Sequence, residues 1–142
     1  MSVDEELDAV IESRNVEPET ETVDVMVGKS LWTLKFQELD GLDWANVIAL
    51  NPLRPGVNID RQFGYDYDGA AMTAAPLSGV RVTADGTEAL SSEQWKKLFK
   101  TLAGHDFTKV ANAVWALNEI NPMRRLAKAK KALADVSAKS SS

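Results

Sequence analysis

The spacing of apolar residues changes along this chain, and each change marks an element. Val23, Val25 and Val27 alternate with Asp24 and Met26; Trp32, Leu34 and Phe36 alternate with Leu31, Thr33 and Lys35. Two period-two runs around Gly28-Lys29-Ser30 predict a β-hairpin over residues 22–37. A lone hairpin is marginal in water, so its Val or Trp/Leu/Phe face must lie on helices or on another copy of itself. From Asp43, a good N-cap, Trp44, Val47 and Ile48 follow at helical spacing until Pro52, which predicts a short helix over 43–50. Asn51-Pro52-Leu53-Arg54-Pro55-Gly56 is a cluster of breakers, and Phe63-Gly64-Tyr65-Asp66-Tyr67-Asp68-Gly69 reads as a second loop. A helical turn or two fits between Ala70 and Ala75 ahead of Pro76, followed by a short strand over 80–83 and a turn at Ala84-Asp85-Gly86-Thr87.

The C-terminal third is more regular. Ser91 and Gln94 fit a capping box, and Trp95, Leu98, Phe99 and Leu102 recur at i, i+3, i+4 and i+7 up to Gly104, predicting a helix over 92–103. Asp106 is placed to cap a second helix over 107–120, striped by Phe107, Val110, Ala111, Val114, Trp115 and Leu117. Asn121 as cap and Pro122 at the first helical position open a third over 122–136. Met123, Leu126, Ala129, Leu133 and Val136 form its narrow apolar seam, with Arg124, Arg125, Lys128 and Lys131 around it. The expected fold class is α+β, mainly α: an N-terminal β-hairpin followed by a helical bundle, in a single domain over 22–136. Residues 1–21 read as an acidic flexible segment. Within it Ser2 and Glu5 fit a capping box, Leu7, Val10 and Ile11 fall at helical spacing, and Pro18 marks a linker. Residues 137–142 read as a flexible tail.

Composition narrows the classes. An apolar share of 44% and a charged share of 26% in 142 residues suit one ordinary globular domain. No apolar run approaches the about 18 residues of a membrane span, and the acidic N-terminus is unlike a signal peptide, so a cytoplasmic protein is expected. The absence of Cys removes disulfides, thiolate zinc sites and cysteine nucleophiles. The net charge of −5 hides an asymmetry: residues 1–24 carry nine acids against Arg14 alone, whereas residues 95–142 carry ten Lys or Arg against Asp106, Glu119 and Asp135.

Several motifs fail on inspection. Gly28-Lys29-Ser30 ends like a phosphate-binding P-loop, but Val23 stands where its first glycine belongs and a strand follows where a helix is needed. Asp60, Asp66 and Asp68-Gly69 invite a calcium reading; aligning Gly69 on the loop glycine of an EF-hand puts Ala75 at the bidentate ligand, so a solvated acidic loop is the better account. His105 is the only imidazole and reads as a turn residue. No Gly-x-Ser-x-Gly elbow is present, and no catalytic residue, metal ligand or cofactor site is assigned. The basic final helix has three readings: solvated lysines, a protein-binding helix, or a nucleic-acid or membrane contact.

A longer pattern joins the Val-rich hairpin to Asp43-Trp44, Asn51-Pro52-Leu53-Arg54-Pro55-Gly56 and Gly64-Tyr65-Asp66-Tyr67-Asp68. It continues through Ser92-Glu93-Gln94-Trp95, Gly104-His105-Asp106-Phe107 and Ala113-Val114-Trp115-Ala116-Leu117-Asn118. Over these residues, from about Val23 to Asn118, the chain resembles the tail assembly chaperones of long-tailed bacteriophages of actinobacteria and related prophages. The resemblance implies a non-enzymatic protein of the host cytoplasm, absent from the mature virion. Its partners would be the helical tape measure protein, which it keeps soluble, and the tail tube protein, whose subunits it helps recruit. Many members have a longer form made by a ribosomal frameshift; this chain would be the short one. Surplus apolar helix surface fits a holdase, and the expected client-binding residues are Met123, Arg124, Arg125, Leu126, Lys128, Lys131 and Leu133. A homo-oligomer is expected, because a bare two-stranded edge is a pairing site. No nucleic acid or membrane is expected as a partner. A structural tail or head–tail connector protein is the alternative, and a small nucleic-acid-binding regulator the weaker one.

Overall fold

A computed structural model describes residues 2–141. The period-two runs become strands β1, Thr20–Val27, and β2, Ser30–Gln37, antiparallel with Val23 opposite Leu34 and Val25 opposite Trp32. Gly28 occupies the first position of the two-residue loop at φ 63°, the left-handed conformation a glycine-first hairpin loop needs. The alternation then places Val23, Val25, Leu34 and Phe36 on one buried face and Thr22, Asp24 and Met26 on an exposed one. That buried face lies on helices of the same chain.

The hairpin is only half of the sheet. Three helices follow it: α2, Gly41–Ala49; α3, Asn58–Phe63; and α4, Tyr67–Ser78. The chain then returns as β3, Gly79–Thr83, which pairs with β2 through Leu34 opposite Arg81, and as β4, Gly86–Glu88, which pairs with β3. The result is a four-stranded antiparallel sheet in the order β1-β2-β3-β4. A hairpin followed by a helical bundle is therefore the wrong architecture: the fold is α+β with strands and helices interleaved. The mistake has a physical source. The short strand expected over 80–83 is β3, but it is partly buried at every position and gives no sign of which strand it joins, and β4 is three exposed residues without alternation. The pairing of β3 with residues some 45 positions earlier leaves no local trace.

Helix α4 is the second departure, twelve residues long where a turn or two is expected. Ala70, Ala71, Ala74 and Ala75 are all buried, and their small side chains let α2, α5, α6 and the sheet approach closely. Pro76 lies inside the helix rather than ending it. Its ring removes one hydrogen bond near the C-terminus, where α4 has only two residues left to run. Termination falls to Gly79, where an added Cβ would stand 2.8 Å from Phe36 Cε1, 2.8 Å from Trp95 Cζ2 and 2.9 Å from the Ala75 carbonyl oxygen.

Helix α5, Ser92–Thr101, opens on the Ser91–Gln94 capping box that its sequence predicts, with both reciprocal bonds made. Trp95 is its buried anchor, 5.7 Å from the Phe36 ring and 5.7 Å from Phe99. Helix α6, Gly104–Trp115, begins at the glycine expected to end α5, and Asp106 does not cap it. Instead the Asp106 carboxylate accepts a 2.9 Å bond from the Met26 amide, and Lys109 Nζ donates at 2.6 Å to the Asp24 carbonyl. Both groups belong to the outer edge of β1, so α6 occupies the sheet edge expected to be free for pairing.

No break separates α6 from the last helix. A π turn, Ala116–Ile120, carries α6 straight into α7, Asn121–Ser141. Asn121 is helical at φ −63°, ψ −44° rather than a cap. Pro122 has no N–H to offer the preceding turn, and the wider π turn lies where the ladder must accommodate that loss. The helix runs past Val136, where its apolar seam ends. At the other end α1, Val3–Val16, is capped by Ser2, which accepts from the Glu5 amide.

Candidate partner-binding surface

Two helices leave the body at one carboxylate. Glu38 follows β2 and is largely sheltered; Arg14 near the end of α1 reaches it at 3.2 Å, and Arg125 in the first turns of α7 meets both its oxygens at 3.0 Å. Arg14 also donates to the Leu39 carbonyl at 3.3 Å, while the Leu39 amide donates to Asn118 Oδ1 at 2.9 Å beside the π turn. Both bonds from Arg125 come from Nη2, which donates to the two oxygens of one ionised carboxylate. Glu38 thus anchors both helices to the sheet end.

Beyond Arg125, α7 stands apart from the body. Met123, Leu126 and Leu133 are 59%, 57% and 68% exposed, far above what a helix packed on a core would show. At about 100° per residue, Met123, Leu126, Ala129 and Leu133 share one side of α7. The predicted basic residues divide. Arg124, Lys128 and Lys131 fall on the opposite face, about 140–160° round from Leu126 or Leu133, and Arg125 is tied to Glu38. Lys130, absent from the expected set, lies in the seam itself, four residues after Leu126 and three before Leu133. Its place in that spacing was the available signal. Glu38 had none, because a loop acid two residues before Asp40 looks like any other.

The acidic loop is not a solvated one. Asp60 is fully buried and accepts from the Arg54 amide at 2.8 Å, from Arg54 Nε at 2.9 Å and Nη2 at 3.0 Å, and from the Tyr67 amide at 3.1 Å. Asp66 and Asp68 each approach the same guanidinium at 3.1 Å. The bonds from Arg54 outweigh burial and hold the Asp60 carboxyl well below the usual carboxylate range. Asp66 also caps α4 by accepting from the Gly69 amide. These acids neutralise an arginine and fix the 51–67 segment. Among the described residues no group of three or more His, Cys, Asp or Glu is placed to hold a metal ion.

Nearby, Tyr65 and Tyr67 donate 2.6 Å bonds to Glu119 and Asn112. Burial, reinforced by Glu119, raises the Tyr65 phenol far above its usual value, and burial pushes Tyr67 up to about 12. Both remain protonated donors at neutral pH. His105 is exposed, 3.2 Å from Asp106. Trp44 and Trp95 are core residues and Trp115 is half-buried against Phe63. The sequence gives no hint of a groove of about 650 Å³ between α4, α5 and α6, lined by Met72, Pro76, Trp95, Phe99 and Phe107 with Lys96 and Lys100 at its rim. Among the described residues no helix is long and apolar enough to cross a membrane. Compared with protein-family models, curated proteins and solved structures, the chain finds no match in any of the three.

Proposed function

We propose that this protein is a tail assembly chaperone of a long-tailed bacteriophage. It works in the host cytoplasm, holds the tape measure protein soluble, helps recruit tail tube subunits and is left out of the finished virion. The observation that carries the reading is α7: a helix anchored at Glu38, with Met123, Leu126 and Leu133 exposed along one side and the core complete without them. A seam of that width suits a helical client that supplies the other half of a two-helix contact, and Lys130 within it favours an acidic residue opposite. The sequence resemblance from the hairpin to Asn118 supports the same role.

Co-expression tests it. The full chain should keep its cognate tape measure protein in the soluble fraction, and a chain lacking residues 126–142, which retains the Arg125–Glu38 contact, should fold by circular dichroism but lose that capacity. The double variant Leu126→Asp, Leu133→Asp should behave as the truncation does. Undiminished solubilisation by both would sink the α7 site. The hairpin and Trp44 could not replace it, since their apolar faces are covered; the exposed apolar side of α1 and the groove between α4, α5 and α6 would be the remaining candidates. Mass spectrometry of purified particles should find the tube protein and not this one.

A further inference from the structure

Helix α7 has a counterpart in the same chain. Helix α1 also leaves the body at Glu38 and buries none of its described residues, and it carries Val3, Leu7 and Val10 at helical spacing on one exposed side. The two seams have similar length: Val3 to Ile11 spans about 12 Å and Met123 to Leu133 about 15 Å at 1.5 Å per residue. Their charges are opposite. Asp4, Glu5, Glu6, Asp8 and Glu12 make α1 acidic, and Arg124, Lys128, Lys130 and Lys131 make α7 basic. The placement of one charge on each is also alike. Glu6 lies three residues after Val3 and four before Val10; Lys130 lies four after Leu126 and three before Leu133.

We infer that the α1 helix of one copy packs along the α7 helix of a second copy, apolar seam on apolar seam with Glu6 facing Lys130, so that the protein associates with itself through its two terminal helices. The alternative route, strand to strand, is obstructed at the β1 edge, where α6 side chains bind, and the opposite edge offers only the three residues of β4. Opposite charges bordering a hydrophobic seam set which helices pair. A two-fold pair satisfies both contacts at once and closes. The inference stands on the two helices alone and needs no client; a client helix on α7 would displace α1 from the same seam.

The test uses the whole chain. Sedimentation velocity over a concentration series should show reversible association that weakens as salt rises. An acid-reversed variant, Glu6→Lys, and a base-reversed variant, Lys130→Glu, should each lose at least about fivefold in association, since the Glu6–Lys130 pair of both symmetric contacts becomes repulsive. Mixed in equal amounts the two should associate again, because each then supplies the helix the other lacks. All the altered residues are exposed, so the body should remain folded by circular dichroism. A wild-type monomer at every concentration in low salt overturns the inference, as does unchanged association of either variant. A mixture that stays monomeric also overturns it. Because no tape measure protein enters the measurement, its failure leaves the client reading standing, and the reverse holds.

Discussion

The body and its two terminal helices solve the same problem in opposite ways. In the body every long apolar stripe finds a partner within the chain: Val23 and Val25 meet α6, Phe36 meets Trp95, and the alanines of α4 bring four neighbours within reach. In α1 and α7 the stripes are just as regular and stay exposed from Val3 to Ile11 and from Met123 to Leu133. Helical periodicity therefore reports that a face exists, and says nothing of whether the chain itself will cover it. The arithmetic of burial separates the two cases, since a side chain contributes its roughly 1.5–3 kcal/mol only where something excludes water from it.

The sharpest break of that comparison is Trp95→Ala against Leu133→Ala. Trp95 is almost wholly buried, and its truncation should cost about 3–5 kcal/mol, read as a lower denaturant midpoint with an unchanged slope. Leu133→Ala, measured at concentrations where the chain is monomeric, should change stability by no more than about 0.5 kcal/mol. A large loss at Leu133 would mean that α7 is packed on the protein in solution and would remove it as a docking surface.

Next in size is Asp60→Asn, which removes the buried acid of the cluster and should cost about 3 kcal/mol, toward the lower end for a broken buried pair because Arg54 is partly exposed and keeps Asp66 and Asp68. The sign of its pH dependence follows from the shift. The folded carboxyl titrates below its unfolded value, so its contribution is complete above the ordinary carboxylate range and is lost as acid takes the pH down through the folded value. Chemical denaturation between pH 6 and about pH 2 should therefore show wild type losing more stability than Asp60→Asn. Equal losses would mean that the Arg54 cluster is not formed in solution.

Much of the fold was legible in the sequence, and the illegible parts share a cause. Strands β1 and β2 were readable because each has one wet face and one dry face; α5 was readable because Ser91 and Gln94 announce it and Trp95, Leu98 and Phe99 stripe it. Strand β3 was read over 80–83, but its pairing with β2 was not, because it is half-buried throughout and shows no wet and dry face; α4 buries alanines that barely register as apolar. Asp106 and Asp60 misled for another reason. Each has a residue type with an ordinary local use, as helix cap or wet loop acid, and each is recruited by backbone amides that folding brings near, Met26 from eighty positions away in the first case. For the candidate surface, the seam of α7 and the place of Lys130 within it were visible in the spacing, but the anchoring at Glu38 depends on where the helix starts and which way it faces.

The bonds from Asp106 and Lys109 to the rim of β1 also determine what sort of failure the protein avoids. A sheet rim with free amides and carbonyls recruits further strands without limit. Here a carboxylate and an ammonium occupy one amide and one carbonyl of that rim, and their charges make an incoming strand strip water and counter-charge before it can bond. The Met26 amide, with help from His105 and Lys109, keeps Asp106 ionised below the usual carboxylate range, so the guard persists into mild acid. Growth by strand addition is thereby discouraged on that side, and any assembly this chain enters is steered toward helices, whose contacts saturate.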